Sequence, residues 1–220
     1  MSFLQKRAFL FDLDGTLVDS SGLHEKVFRE VLNRYAPQLL DNFDYERLKG
    51  KPTAESFREV GVAEGEVLDT LVNEKQGRYR NAVLAGELRL MPGAREMLEF
   101  LQTRGRRLFL VSGGSRRSVD TALYATGAHA FFEGIIAADD VACGKPAPDS
   151  FLLCLARYGI RAADAVGVED SISGLESCRA AGLDAVLVNH PGLQRTSCPS
   201  FASLMDFRLV LAGEERLACA

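Results

Sequence analysis

Ala8-Phe9-Leu10-Phe11-Asp12-Leu13-Asp14-Gly15-Thr16-Leu17-Val18-Asp19-Ser20 is the stretch on which the fold turns. A strand-sized apolar run stops abruptly in two carboxylates, and a glycine follows. Residues two apart on a strand project from the same face, so Asp12 and Asp14 emerge together. A paired charge at the end of a buried strand is a poor element of a core. It suits holding a cation or attacking phosphorus.

Further strand-sized apolar runs lie at Leu108–Val111, Gly134–Ala137, Ala165–Val168 and Ala185–Val188, most of them separated by helix-like patterns. Strands alternating with helices predict a parallel sheet covered on both faces. Such sheets bind ligands beyond the carboxyl ends of their strands. The expected fold is α/β, a Rossmann-like three-layer core with a parallel sheet.

The segment 20–88 breaks that rhythm. It is nearly strand-free and predicts helices over Leu23–Tyr35, Tyr45–Leu48, Thr53–Val60 and Glu64–Leu84. In the first, Leu23, Val27, Val31 and Tyr35 follow helical spacing, with Phe28 and Leu32 beside them. Pro37 and the Gly50-Lys51-Pro52 turn interrupt the series. Residues 20–88 are therefore expected to form a helical cap domain inserted in a core of residues 1–19 and 89–220. The tail after Pro199 predicts a last helix and an edge strand. Phe151, Leu152 and Leu155 predict one buried helix face.

The chain has 220 residues, enough for a substantial core. A net charge of −4 gives no general attraction for nucleic acid or anionic membranes. The five cysteines, Cys143, Cys154, Cys178, Cys198 and Cys219, form no CxxC pair and read as reduced thiols. The N-terminus lacks the order of a secretion signal, and no apolar run is bilayer-length. A cytoplasmic monomer is expected.

Polar groups sit at successive strand ends: Asp12-Leu13-Asp14-Gly15-Thr16, then Ser112-Gly113-Gly114-Ser115, then Gly144-Lys145-Pro146, then Glu169-Asp170-Ser171. On one sheet edge they form a site for phosphoryl transfer. A carboxylate that attacks an anionic phosphate ester needs the repulsion cancelled, which a divalent cation on oxygen ligands does. The expected cofactor is magnesium (Mg2+). Asp12, Asp170 and the backbone carbonyl near Asp14 are its expected ligands, with Glu169 direct or through water. Ser112 and the amides of Gly113 and Gly114 offer donors to phosphate oxygens. Lys145 supplies the remaining positive charge. Asp12 would attack phosphorus and Asp14 would protonate the leaving alcohol, then deprotonate the hydrolytic water.

These blocks, in this order, resemble the motifs of the haloacid dehalogenase-like superfamily. Asp12, Asp14, Gly15 and Thr16 match its two aspartates followed by Gly-Thr; Ser112, Lys145 and Glu169-Asp170 match the others. The resemblance implies a Rossmannoid core with a helical cap and points to the capped phosphatase and beta-phosphoglucomutase branch. Dehalogenases of the superfamily lack the second aspartate, so Asp14 argues against halide chemistry.

A cap reads the leaving group, and its candidates are His24, Lys49, Lys51 and Lys75, the last a mid-helix lysine of a kind normally solvated. Leu48-Lys49-Gly50 resembles the specificity loop of the mutases, and His24 and Lys75 match mutase positions. Thr53 stands where the mutases carry an arginine for a second phosphate, and Thr16 where they carry valine. The resemblance thus implies a phosphatase of a small phosphorylated metabolite, a sugar phosphate or phosphoglycolate-like acid. The alternatives are a phosphosugar mutase and a non-catalytic phosphate-binding protein. Ser115 is expected to cap a helix, and His129 and His190 to be structural.

Overall fold

The computed structural model describes residue 3, residues 5–189 and residues 198–218, the side chains of 215–218 excepted. Six strands form one sheet in the order β3-β2-β1-β4-β5-β6, every neighbouring pair parallel. They are β1 (Ala8–Phe11), β2 (Arg107–Val111), β3 (Gly134–Ile136), β4 (Ala165–Glu169), β5 (Asp184–Val188) and β6 (Ser200–Phe201). The chain leaves β1 to build one side of the sheet and returns to its other side at β4. The β1–β4 boundary is the switch point where such sheets open a crevice.

Period-two alternation divides the core. Phe9, Phe11, Leu108, Leu110, Val166 and Val168 face one side of the sheet, where α5 (Ala94–Gln102), α6 (Arg116–Thr126) and α9 (Leu204–Ala218) cover them. Ala8, Leu10, Phe109, Val111 and Leu187 face the other, under α7 (Asp149–Arg157) and α8 (Ile172–Ala180). Each large apolar side chain removed from water contributes about 1.5–3 kcal/mol, which is why both faces are covered. On α7 the expected face is corrected. Leu152 is 46% exposed, and Cys154 joins Phe151 and Leu155 in the core. The reason is helical spacing: 151, 154 and 155 share a face that 152 does not.

Between β1 and β2 lie α1 (Ser21–Tyr35), a 3-10 turn over Pro37–Asn42, α2 (Tyr45–Leu48), α3 (Thr53–Val60) and α4 (Glu66–Leu84). Leu23, Val27, Phe28, Val31 and Leu32 of α1 are buried as the spacing predicts, while Tyr35 stays 40% exposed in the last turn. The two chain crossings run side by side. The amide of Asp19 donates to the Arg89 carbonyl at 3.0 Å, and that of Met91 to the Leu17 carbonyl at 2.8 Å. A short edge strand, β6, precedes the last helix.

Among the described residues Cys143, Cys154, Cys178 and Cys198 are free thiols, as expected. Cys219 and His190 lie outside the described residues. His129 stacks on Tyr124 with centroids 4.1 Å apart. Among the described residues no helix is long and apolar enough to cross a membrane.

Candidate active site

Register brings the polar strand ends together. Phe11 pairs with Leu110 on one side and Val168 on the other, so Asp12 stands abreast of Val111 and Glu169. The Asp12 amide continues the ladder to the Val168 carbonyl at 2.9 Å, and that of Ser112 reaches the Ile136 carbonyl at 2.9 Å. Asp12, Ser112, Glu169 and Asp170 are all buried at this edge.

Lys145 ties the site together. Its Nζ donates to Asp12 Oδ1 at 2.6 Å, Glu169 Oε1 at 2.5 Å and the Val111 carbonyl at 2.9 Å. Burial alone would lower its pKa, but the charges of Asp12 and Glu169 raise it, so the ammonium persists. The carboxylates feel the opposite pull. Burial raises the pKa of Asp12, Glu169 and Asp170, and repulsion from neighbouring carboxylates adds to it: Asp14 on Asp12, Asp12 and Asp170 on Glu169, and Asp12 and Asp14 on Asp170. Three carboxyl groups whose ligand oxygens lie within 4.8 Å of one another face one buried ammonium. That excess of negative charge on hard oxygen donors fits a divalent cation. The Asp14 carboxylate lies outside this cluster, consistent with the expectation that a backbone carbonyl near Asp14, rather than its side chain, is offered to a cation.

Asp14 faces the helical segment instead. His24 Nε2 lies 3.2 Å from Asp14 Oδ1, and Lys75 Nζ lies 2.8 Å from His24 Nδ1. An ammonium can only donate, so Nδ1 accepts and Nε2 carries the ring proton that is given to Asp14. Burial and then the neighbouring ammonium lower the His24 pKa, consistent with a neutral ring. Burial would raise the pKa of Asp14; the His24 hydrogen bond, with Lys75 behind it, reverses this and holds it well below the usual carboxylate value. The His24 ring stacks on Tyr79 at 4.2 Å, 2° from parallel.

Lys75 is the clearest departure from expectation. It is buried rather than solvated, and its ammonium lies over the Phe28 ring at 4.6 Å and the Tyr79 ring at 5.5 Å. Burial lowers its pKa to about 8. Lys49 reaches the site, 3.8 Å from Asp170 Oδ2. Lys51 is engaged elsewhere, in an ion pair with Glu59, eight residues on and near the end of α3.

The loop after β2 is also more committed than its sequence suggests. Ser112 Oγ accepts from the Gly114 amide at 3.0 Å, so that amide is already engaged, while Gly113 has no such partner among the described residues. Ser115 takes the N-cap position of α6, but its hydroxyl donates to Ser118 Oγ at 3.0 Å rather than accepting from backbone. The Thr16 side chain is fully buried with its hydroxyl unpartnered among the described residues.

Two glycines are required by space. Gly15 has φ +82°, and a Cβ there would meet Asp170 Oδ2 at 2.1 Å. At Gly174 a Cβ would lie 1.9 Å from Glu169 Oε2. Gly174 thus lets the Glu169 carboxylate lie against the first turn of α8, where Ser171 caps the Gly174 amide at 3.0 Å. Gly174→Ala should displace Glu169 and with it Lys145. The expected cost is about 1–3 kcal/mol of stability, read by denaturant unfolding; an unchanged midpoint would show that the carboxylate has room to move.

Asn189 was missed by sequence reasoning. Its Nδ2 donates to the carbonyls of Gly15 at 2.9 Å and Thr16 at 3.1 Å, from a left-handed backbone position at φ 57°. The available signal was a polar residue directly after the β5 apolar run, at the same sheet edge as the others.

Comparison with known proteins agrees with this geometry. The model of the family described as haloacid dehalogenase-like hydrolase matches residues 9–188. The chain is 35% identical over 198 residues to protein CbbY of Rhodobacter capsulatus, covering 84% of this chain and 86% of that protein. It is 36% identical over 184 residues to the fructose-1-phosphate phosphatase YqaB of Escherichia coli K12, covering 80% and 93%. The crystal structure of CbbY from Rhodobacter sphaeroides in complex with phosphate superposes with a TM-score of 0.79 at 24% identity, covering 92% of this chain and 96% of that one, and so shares the fold.

Proposed function

The chain belongs to the haloacid dehalogenase-like hydrolase family, and within it we propose a magnesium-dependent phosphatase that hydrolyses a small phosphorylated metabolite through an aspartyl-phosphate on Asp12. The observation that carries this is the division between the two aspartates. Asp12 sits with Lys145, Glu169 and Asp170, whereas Asp14 is held apart by His24. The relatives act in support, since one is named as a phosphatase of a phosphorylated sugar.

Asp12, Glu169 and Asp170 are the residues that would hold magnesium, and the ion would supply charge neutralisation for the incoming phosphate. Asp12 Oδ1 is committed to Lys145, which leaves Oδ2 to meet phosphorus. As that bond forms, the bond from phosphorus to the leaving oxygen breaks, and Asp14 gives the leaving oxygen a proton. Water then attacks the same phosphorus, Asp14 takes its proton, and Asp12 is released. In the structure Asp14 is ionised, the form needed for the second step; a bound anionic phosphate raises its pKa for the first.

Residues 20–88 serve in this reading as a cap over residues 1–19 and 89–220. Their contribution is chemical as well as steric, because His24 and Lys75 orient Asp14. Lys75→Met removes the cation behind His24, so the Asp14 pKa rises and less of it is ionised at a given pH. The acid limb of kcat, set by the hydrolysis step in which Asp14 must be ionised to take the water's proton, should therefore move upward from well below neutral pH, with little change in rate near neutral pH. An unmoved limb would contradict the role.

The test of activity is phosphate release from a panel of sugar phosphates and phosphorylated acids with magnesium. Turnover of at least one, abolished by a chelator and restored by magnesium, is expected. A wild-type protein no faster than Asp12→Asn on every compound would overturn the reading. Interconversion of hexose 1- and 6-phosphates primed by a bisphosphate would show a mutase instead, although Thr53 at the start of α3 offers no cation for a second phosphate.

A further inference from the structure

Asn189 reaches back to a loop whose carbonyl groups are almost all engaged. The Leu13 carbonyl accepts from the Leu17 amide at 2.9 Å and the Val18 amide at 3.0 Å. The Val18 carbonyl accepts from the Gly15 amide at 2.9 Å, and the Leu17 carbonyl from the Met91 amide at 2.8 Å. The Gly15 and Thr16 carbonyls take the two N–H groups of Asn189 Nδ2, at 2.9 and 3.1 Å. From Leu13 to Val18, only the Asp14 carbonyl has no partner among the described residues.

That open carbonyl lies beside the acidic cluster. Its peptide ends at the Cα of Gly15, which packs so closely on Asp170 that a Cβ would meet Oδ2 at 2.1 Å. Asp170 is one of the three carboxylates whose ligand oxygens lie together. A neutral carbonyl oxygen is a hard donor of the kind that divalent cations take alongside carboxylates. Peptide planes are rigid and joined only through the φ and ψ of the shared Cα. The plane between Asp14 and Gly15 is therefore set by its neighbours: on one side the Leu13 carbonyl is held within the loop, and on the other Asn189 holds the next two.

The position of Asn189 suits this task. It directly follows β5, in which Leu187 pairs with Glu169. Its amide is thus anchored to the sheet edge that carries Glu169 and Asp170. The left-handed backbone at φ 57° is one that asparagine adopts more readily than most residues.

We propose that Asn189 is a positioning residue for the cation: its amide fixes the Gly15 and Thr16 peptides, so that the Asp14 carbonyl is the loop oxygen offered to a divalent ion beside Asp170. This role rests on the magnesium reading above. It divides Asp14 in two, with the backbone turned to the cation and the carboxylate left to His24.

The test is calorimetric titration of magnesium into metal-free wild type and Asn189→Gly. Glycine keeps the left-handed backbone at no steric cost and removes only the side chain. The dissociation constant should rise about tenfold or more, the usual cost of losing a partner behind a metal ligand. Asn189→Ser is a second variant; its hydroxyl has one donor for two carbonyls, so it should weaken binding in the same direction. Denaturant unfolding in a chelator reads the folding contribution separately. With para-nitrophenyl phosphate, the magnesium concentration for half-maximal rate should rise. Excess magnesium should recover most of the rate, since mass action refills a weakened site. Equal magnesium affinity in wild type and a folded variant overturns the role, even where that variant is less stable in chelator, which is what a merely structural brace predicts. A rate that stays low in excess magnesium overturns it too. Wild type that takes up no magnesium overturns the metal reading itself, an outcome seen without any variant.

Discussion

Asp12→Asn should abolish phosphate release, by about 10⁴-fold or more, while the protein stays folded. The size follows from the role: a nucleophile has no substitute, and its removal costs most of the catalysis built around it. The folding half follows from the electrostatics. Asp12 is buried, and burial is the largest influence on its pKa, so ionising it there is costly. Asparagine keeps the shape and drops the charge. Lys145 keeps Glu169 and the Val111 carbonyl as partners, so no buried ammonium is stranded. Denaturant midpoints within about 1 kcal/mol of wild type are expected, and phosphate release with a residual rate near wild type would contradict the assignment.

Asp14→Asn should reduce turnover by about 10²–10⁴-fold, the usual worth of a positioned acid or base. The loss should depend on the leaving group in a way that Asp12→Asn does not. Para-nitrophenolate departs without a proton, so the first step survives better with it than with a sugar alkoxide. Hydrolysis of the intermediate still needs a base, so a burst of nitrophenol about equal to the enzyme concentration should precede slow turnover. Rapid-mixing kinetics read this directly. A loss equal for both leaving groups, with no burst, would show that Asp14 does not transfer protons.

The central fold was legible because its signals are local. Short apolar runs marked the strands, most of them ending in polar residues, and the helices between β1 and β2 carried the i, i+4 spacing of Leu23, Val27 and Val31. The family motifs were legible for the same reason, since each lies within a few residues at a strand end. What sequence missed depends on partners far along the chain. A lysine in mid-helix is ordinarily solvated, and nothing near Lys75 announces His24, 51 positions away. Lys51 resembled a ligand contact until its segment folded Glu59 back onto it. Asn189 holds the loop after β1 from 174 residues away, so its function lies in tertiary structure alone. The requirement for glycine at 174 likewise appears only when Glu169 is in place.

The measurement closest to the central claim is chemical trapping of the acyl phosphate. Substrate is mixed with the enzyme and magnesium, the reaction is stopped within one turnover, and borohydride reduces any acyl phosphate to the alcohol. Peptide mass spectrometry should find that reduction at Asp12 alone. It should require substrate, and it should increase in Asp14→Asn, where the intermediate persists. Phosphate released at the full rate with no modification at Asp12, in either protein, would contradict the covalent mechanism and the separate work assigned to the two aspartates.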